Sequence, residues 1–410
     1  MIYAFPQYFE AKSRFQTYTV VCKALQAAGH TVTDDIEHCD LVAVSLCDVL
    51  DMKYLRKVRG MTKKPVLAGG AFTYNYWAAA VYADYVWIGE VFDMAECRTL
   101  NELGDSPHCY TPGSNKALYA SWRVDWDACP VVQIKKGSAY YWAGVGCKNK
   151  CAFCLTSWTH QHLMNSEQNC RAARRAAKAK GCHLMMTSNE YDVDNDNPTK
   201  DMLLTDYLKQ RVTGSFVRCG VEFALEETRK RKGKPITKNE LYHAIQKMNV
   251  DNISLRLFHI TGYEPREAWE TYISDLCKMV QRSPNKRLLH LMFNNLQYQN
   301  YTPLYKERHD IDETRYTTHE DTKRWYDQLR QYSQHVLVGA PSPFQHVACR
   351  MGQELATTLE QEEYWQKMMG RKSKYTASEF KKALFDSGVL ETEERHIAFK
   401  TGEIRIGPRR

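Results

Sequence analysis

Apolar residues in the first hundred positions fall into short continuous runs separated by segments of helical period. Residues 2–5 read as a short strand, and residues 15–28 carry apolar side chains at helical spacing up to Gly29. The runs at 41–46, 65–70 and 85–90 have the unbroken apolar character of parallel strands covered on both faces. Alternation of such strands with helices predicts a doubly wound open sheet over residues 1–108, with its ligand site at the carboxyl ends of the strands.

Residues 109–134 hold turn signals (Pro112-Gly113-Ser114, Pro130) and little periodicity, which predicts a linker. The alternation resumes over 135–345. Strands are expected at 137–143, 183–187, 216–222, 253–264, 288–293 and 335–340, with helices at 166–180 and 239–248 between them. Six strand–helix units fit a partial (β/α)6 barrel better than a full eight-stranded one. Residues 346–410 predict a mostly helical extension, with helices at 352–369 and 377–386 and a hairpin at 395–406 turning at Thr401-Gly402.

Composition adds bounds. A chain of 410 residues, 43% hydrophobic, has room for two or three cores and contains no apolar run near the length of a spanning helix. The first residues lack the basic-then-apolar form of a signal peptide, and the 14 cysteines show no paired spacing, so a reducing, cytoplasmic setting is expected with no membrane partner. The net charge of +8 is concentrated in three basic runs: Arg171 to Lys180, Arg229 to Lys234, and Arg405, Arg409 and Arg410. Such runs are either solvated faces or the footprint of a phosphate-bearing partner, a nucleic acid or nucleotide.

The most informative stretch is Gly144 to Cys154, where Cys147, Cys151 and Cys154 follow a strand at C-x3-C-x2-C spacing. Three thiolates in eight residues can hold three irons of a [4Fe–4S] cubane and leave the fourth iron open. Zinc competes for this reading. It would need a fourth ligand, for which His160 and His162 are the nearest candidates, since no second cysteine pair completes a structural zinc site.

The spacing, with the aromatic Phe153 before the last cysteine, resembles the radical S-adenosylmethionine (radical SAM) superfamily. The resemblance implies that SAM chelates the open iron and is cleaved reductively to a 5′-deoxyadenosyl radical, with electrons from a flavodoxin or ferredoxin. Ser188-Asn189-Glu190 resembles the family's Gly-Gly-Glu motif, which holds the SAM amino group. The succession from Gly220-Val221-Glu222 to Ile260-Thr261-Gly262 resembles another family pattern. It implies that Glu222 lies near the SAM ribose or amino group, that Ile260 and Gly262 flank the adenine, and that Arg256 pairs with the SAM carboxylate. The first hundred residues resemble the cobalamin-binding domain of one subgroup, on Asp40 to Ser45, Pro65 to Gly70 and Ala83 to Glu90. There is no D-x-H-x-x-G loop, so a bound cobalamin would lack that histidine ligand. Alternatively, the rings of Phe72, Tyr74, Tyr76 and Trp77 fill the cofactor pocket.

The resulting expectation is an α/β enzyme with an N-terminal Rossmann-like, cobalamin-binding-like domain and a radical SAM barrel. The basic runs turn the expected substrate toward a modified nucleobase or nucleotide, isomerised after hydrogen abstraction. The alternatives are cobalamin-dependent C-methylation of a small molecule or peptide and, outside enzymes, a metal-stabilised nucleic-acid-binding module.

Overall fold

In a computed structural model the described residues are 1–6, 15–46, 51–135, 137–186, 199–284, 286–296, 302–304, 307, 315, 317–339 and 404–405. The expected helices and hairpin of the C-terminal extension lie outside them, apart from residues 404–405.

The amino-terminal sheet contains β1 (Ile2–Ala4), β2 (Thr31–Thr33), β3 (Leu41–Ser45), β4 (Val66–Gly69), β5 (Tyr85–Trp87) and β6 (Cys109–Tyr110). Its order is β2-β1-β3-β4-β5-β6, parallel except for the β5–β6 pair. The continuous apolar runs became the central strands, as burial on both faces requires: Leu41, Val42, Val66, Leu67, Ala68 and Val86 are all sealed from solvent. The helix Phe15–Ala27 packs beside them, and Gly29 takes a φ of 85° that a Cβ would strain.

Residues 109–134, expected as a linker, carry structure. Besides β6 they form β7 (Leu118–Tyr119) and β8 (Val132–Lys135), and Ser121 exchanges backbone hydrogen bonds with Ile88 and Glu90. Strand β8 pairs antiparallel with β9 (Ser138–Tyr141). The two-residue β10 (Gly144–Val145) and β11 (Leu163–Met164) then pair antiparallel and bracket the cysteine loop. β9 runs parallel to β12 (His183–Met186), giving a three-stranded sheet. Among the described residues this small sheet shares its core with the first sheet. Ala139, Tyr141, Leu184 and Met186 share one apolar cluster with Tyr3, Phe5, Leu41, Leu67 and Trp87 of the first sheet.

A five-stranded, all-parallel sheet follows: β13 (Thr199–Asp201), β14 (Phe216–Glu222), β15 (Ser254–Thr261), β16 (Leu289–Asn295) and β17 (Val336–Gly339), in that order. Burial alternates residue by residue along β15, so one face is covered and the other open. The covered face (Val217, Cys219, Leu255, Leu257, Leu289, Leu291) packs on helices Lys238–Asp251, Arg266–Arg282 and His319–Arg330 through Ile245, Trp269 and Trp325. A Thr237–Glu240 capping box starts the first of these helices and left-handed Asn252 ends it. Among the described residues no hydrogen-bonded pairing joins this sheet to β12. The last strand, β18 (Ile404–Arg405), runs parallel to β7. No helix among the described residues is long and apolar enough to cross a membrane.

Candidate active site

The cysteine loop leaves β10 at Gly146, whose φ of 74° and contact with Gln161 leave no room for a side chain; a Cβ there would lie 1.9 Å from the Gln161 carbonyl oxygen. Cys151 is buried, and Cys147 and Cys154 are partly exposed. Lys150 donates to the Ser157 carbonyl oxygen at 2.7 Å, and Trp158 Nε1 to that of Cys151 at 2.8 Å, so the loop is tied to the short helix Leu155–Thr159. From the other side, Ala152 N donates to Lys232 O at 3.0 Å and Leu304 N to Ala152 O at 2.9 Å. Gly233, at φ 85°, touches Lys150 and Cys151 so closely that a Cβ would sit 2.9 Å from Lys150 O.

The run Arg229 to Lys234 that holds this loop was expected to be a surface feature. Its core members are interior: Arg229 is 2% exposed and Lys232 4%. Arg229 donates to the carbonyl oxygens of Ile236, Phe223 and Ala224 at 2.6–2.8 Å. Lys232 donates to both Glu307 oxygens and lies 4.5 Å above the Tyr263 ring. Lys234 Nζ is 3.5 Å from Glu222 Oε1. Burial opposes the Lys234 charge, but the Glu222 carboxylate and the Cys151 and Cys154 sulfurs outweigh it and hold its pKa above the ordinary lysine value. Burial pushes the Cys151 thiol up to about 11; Lys234 opposes that rise, and Cys154, Glu222 and Cys147 add to it.

Glu222 ends β14 with a φ of 71°, at a bulge where it, rather than Val221, pairs with His259. A non-glycine residue in this conformation costs about 1–3 kcal/mol and marks a side chain that its surroundings hold in place. Here the bulge turns the carboxylate back over Gly220, where a Cβ would lie 1.9 Å from Glu222 Oε1 and 3.0 Å from Lys234 Nζ.

The structure brings several expected residues together. Phe153 and Ile260 pack in one cluster with Ala152, Tyr263, Leu296 and Leu304, and Phe153 meets Phe223 edge-on. Gly262, at φ 103°, lines a cavity of about 260 Å³ with Tyr263, Glu264 and Arg231. Buried Glu264 accepts from Ala224 N and Leu225 N, capping the helix Glu226–Arg231. Arg256 is set apart. It lies four residues, about 13 Å along an extended strand, before Ile260. It donates from Nε to His290 Nδ1 at 2.9 Å and stacks on Phe216. Ser188, Asn189 and Glu190 lie outside the described residues. Lys234 went unnoticed in the sequence reading, where it was counted among the basic run. Its signal was the Gly233-Lys234-Pro235 break directly after a helix.

The donor set fits a cubane: three thiols close enough to perturb one another, with a lysine cation beside them. Each cubane thiolate takes a different iron, whereas zinc requires its ligands around one point. His160, a possible fourth zinc ligand, turns to the first sheet instead. It lies 3.5 Å from Glu90, within 2.9 Å of Thr159 Oγ1 and against the Tyr74 ring. Among the described residues no three His, Cys, Asp or Glu side chains surround a single-ion site.

A second cavity, of about 230 Å³, opens at the carboxyl edge of the first sheet, where parallel-sheet ligand sites are expected. Ser45, Gly69, Gly70, Trp87 and Glu90 line it from the sheet side, and Trp142 and His160 from beside the cysteine loop. Of the four expected filling rings, only Tyr74 is among its lining residues. Phe72 and Tyr76 are buried without lining it, and the Trp77 side chain lies outside the description. The glycines differ in purpose. Gly70 and Gly89 are needed by the fold, since Cβ atoms there would strike Leu46 O at 2.5 Å and Ser121 O at 2.1 Å. Of these three, Gly69 alone faces open space, with nothing within 4 Å of its Cβ position.

Neither a protein-family model nor a curated protein matches this sequence. Among solved structures, similar chains include those of a radical SAM methyltransferase, and the similarity shows a shared α/β fold. The radical SAM methyltransferase TsrM from Kitasatospora setae, with cobalamin and a [4Fe–4S] cluster bound, is similar over 75% of this chain and 74% of its own, at 12% identity and a TM-score of 0.51. TsrM with tryptophan substrate and a SAM analogue matches over 75% of each chain, at 13% identity and a TM-score of 0.53.

Proposed function

We propose that the protein is a radical SAM enzyme that also uses cobalamin, and that it transfers a methyl group to a small molecule or peptide. The observation that carries this is the juxtaposition of two sites. The C-x3-C-x2-C loop, with Lys234 and Glu222 beside it, lies one helix from a cavity at the carboxyl edge of a Rossmann-like sheet. In this reading residues 1–108 form the cobalamin domain, and 135–345 form the partial barrel, with the three-stranded and five-stranded sheets as its two parts. Residues 109–134 join the domains, and 346–410 form an extension.

When bound, the cluster and SAM would supply one-electron chemistry and a methyl source, and cobalamin would carry the methyl group. The chain's own residues set the conditions. Cys147, Cys151 and Cys154 would hold the cluster. The Lys234 ammonium would offset thiolate charge in the interior, and Glu222 keeps that ammonium in place. Phe153 and Ile260 wall the site with apolar surface that excludes water. Gly69 leaves the sheet edge open to a flat ligand, and Tyr74, bonded to Thr159 O at 3.1 Å, fixes the cavity wall to the loop side. A flavodoxin- or ferredoxin-type donor would deliver electrons in a cytoplasmic setting. Isomerisation of a modified nucleobase, the first expectation, loses ground because a basic run that motivated it is largely interior.

The test is anaerobic reconstitution with iron, sulfide and hydroxocobalamin, followed by incubation with SAM and reductant. Retained corrinoid together with S-adenosylhomocysteine supports methyl transfer. Iron and 5′-deoxyadenosine formation without corrinoid would return the first domain to a scaffold and contradict the proposal.

A further inference from the structure

The open face of the five-stranded sheet carries a charged layer that the site above does not use. Register places Asp201, Arg218, Arg256 and His290 side by side on β13, β14, β15 and β16. Adjacent strands are about 4.8 Å apart, so the two guanidinium groups are neighbours. Arg218 pairs with Asp201, the one acid among the described residues of the layer. Its Nε is buried without a hydrogen-bond partner. Arg256 donates from Nε to His290 Nδ1 at 2.9 Å and stacks 5.0 Å from the centre of the Phe216 ring, which fixes the plane of its fork. An acceptor Nδ1 requires a neutral imidazole, and burial, helped by Arg256, pushes the His290 pKa down to about 4. Among the described residues the layer therefore holds two cations, one anion and a neutral histidine. Neighbouring like charges cost energy unless an anion joins them. The next layer toward the ligand end holds Gly220, Phe258, Met292 and Gly339, and the Glu222 carboxylate folds back over Gly220, so Glu222 borders the charged layer from above.

We infer that Arg218 and Arg256 form an oxyanion-binding subsite that grips a carboxylate or phosphate group of the substrate at the base of the site. Planar guanidinium groups match either oxyanion bidentately. The assignment rests on the radical SAM reading for its role, since a substrate anchored in this layer would extend toward Glu222 and the cluster loop. The subsite itself is independent of that chemistry.

The experiment measures the unfolding midpoint of the cluster-reconstituted full chain, titrated with inorganic phosphate or sodium acetate at constant ionic strength against chloride. A saturable rise with either oxyanion is expected, because a ligand that binds only the folded state stabilises it. A response to phosphate alone assigns a phosphate-bearing substrate, and a response to acetate alone a carboxylate. The apparent affinity should fall at least tenfold in Arg218→Gln and in Arg256→Lys, with iron content confirming that each variant is assembled. Equal effects of chloride and both oxyanions would overturn the inference, as would variants that respond like the wild type. A tenfold loss of SAM affinity in Arg256→Lys with an unchanged oxyanion response would overturn it too, by returning Arg256 to SAM. Formation of 5′-deoxyadenosine by the wild type, measured on the same preparation, tests the radical SAM reading separately.

Discussion

Two basic runs of similar composition have opposite fates in this molecule. In the helix Glu167–Ala179, Arg171, Arg175 and Lys178 are exposed, and only the small residues Cys170, Ala173 and Ala177 face the core. Sixty residues later, Arg229, Lys232 and Lys234 turn inward and find carbonyl oxygens, Glu307 and Glu222. The difference lies in what surrounds the charges. The first run is spaced on one stripe of a capped helix, so every long side chain reaches water. The second closes a helix at Gly233-Lys234-Pro235, and the chain folds back beneath the cysteine loop. Charge alone names no partner; the backbone decides whether a cation meets solvent or a buried acceptor.

The contrast can be broken by substitution. Arg229→Met should have the largest effect, because three interior carbonyl oxygens lose their donor. A loss of about 3 kcal/mol is expected, read as a lower denaturation midpoint. Gly233→Ala comes next: strain at positive φ and the clash with Lys150 should cost about 2 kcal/mol and reduce iron uptake, measured by metal analysis after reconstitution. Lys234→Met should lower the reduction potential of the proposed cluster, since a cation near the sulfurs favours the more negative, reduced form; redox titration reads the shift. The triple change Arg171→Gln, Arg175→Gln, Lys178→Gln should alter stability by no more than about 0.5 kcal/mol and leave SAM turnover intact. A large effect of that triple change would restore the exposed run as a binding surface.

Much of the fold was legible because parallel strands buried on both faces leave continuous apolar runs. Residues 41–46, 65–70 and 216–222 all became strands within a residue or two. Strands β2 and β6 escaped notice: Thr-Val-Thr and Cys-Tyr are too short to carry a period and owe their state to the neighbouring strands. The cysteine loop was legible for the opposite reason, since three candidate ligand residues at short spacing need no tertiary information. Glu222 was singled out by resemblance, yet its bulge and positive φ were invisible because both depend on pairing with β15. The partners of Arg256, His290 and Phe216, were not legible because a strand sequence does not reveal its neighbours in the sheet. The purpose of Gly69, as against Gly70 and Gly89, required the positions of Leu46 and Ser121.

The account stands most directly on the joint occupancy of the two sites. Corrinoid and iron should be measured together, after gel filtration of the anaerobically reconstituted wild type and of Gly69→Phe, a variant whose new side chain starts in open space. The account predicts close to one corrinoid per wild-type chain, and loss of corrinoid with full retention of iron in Gly69→Phe. Corrinoid absent from the wild type, or retained equally by Gly69→Phe, would contradict it.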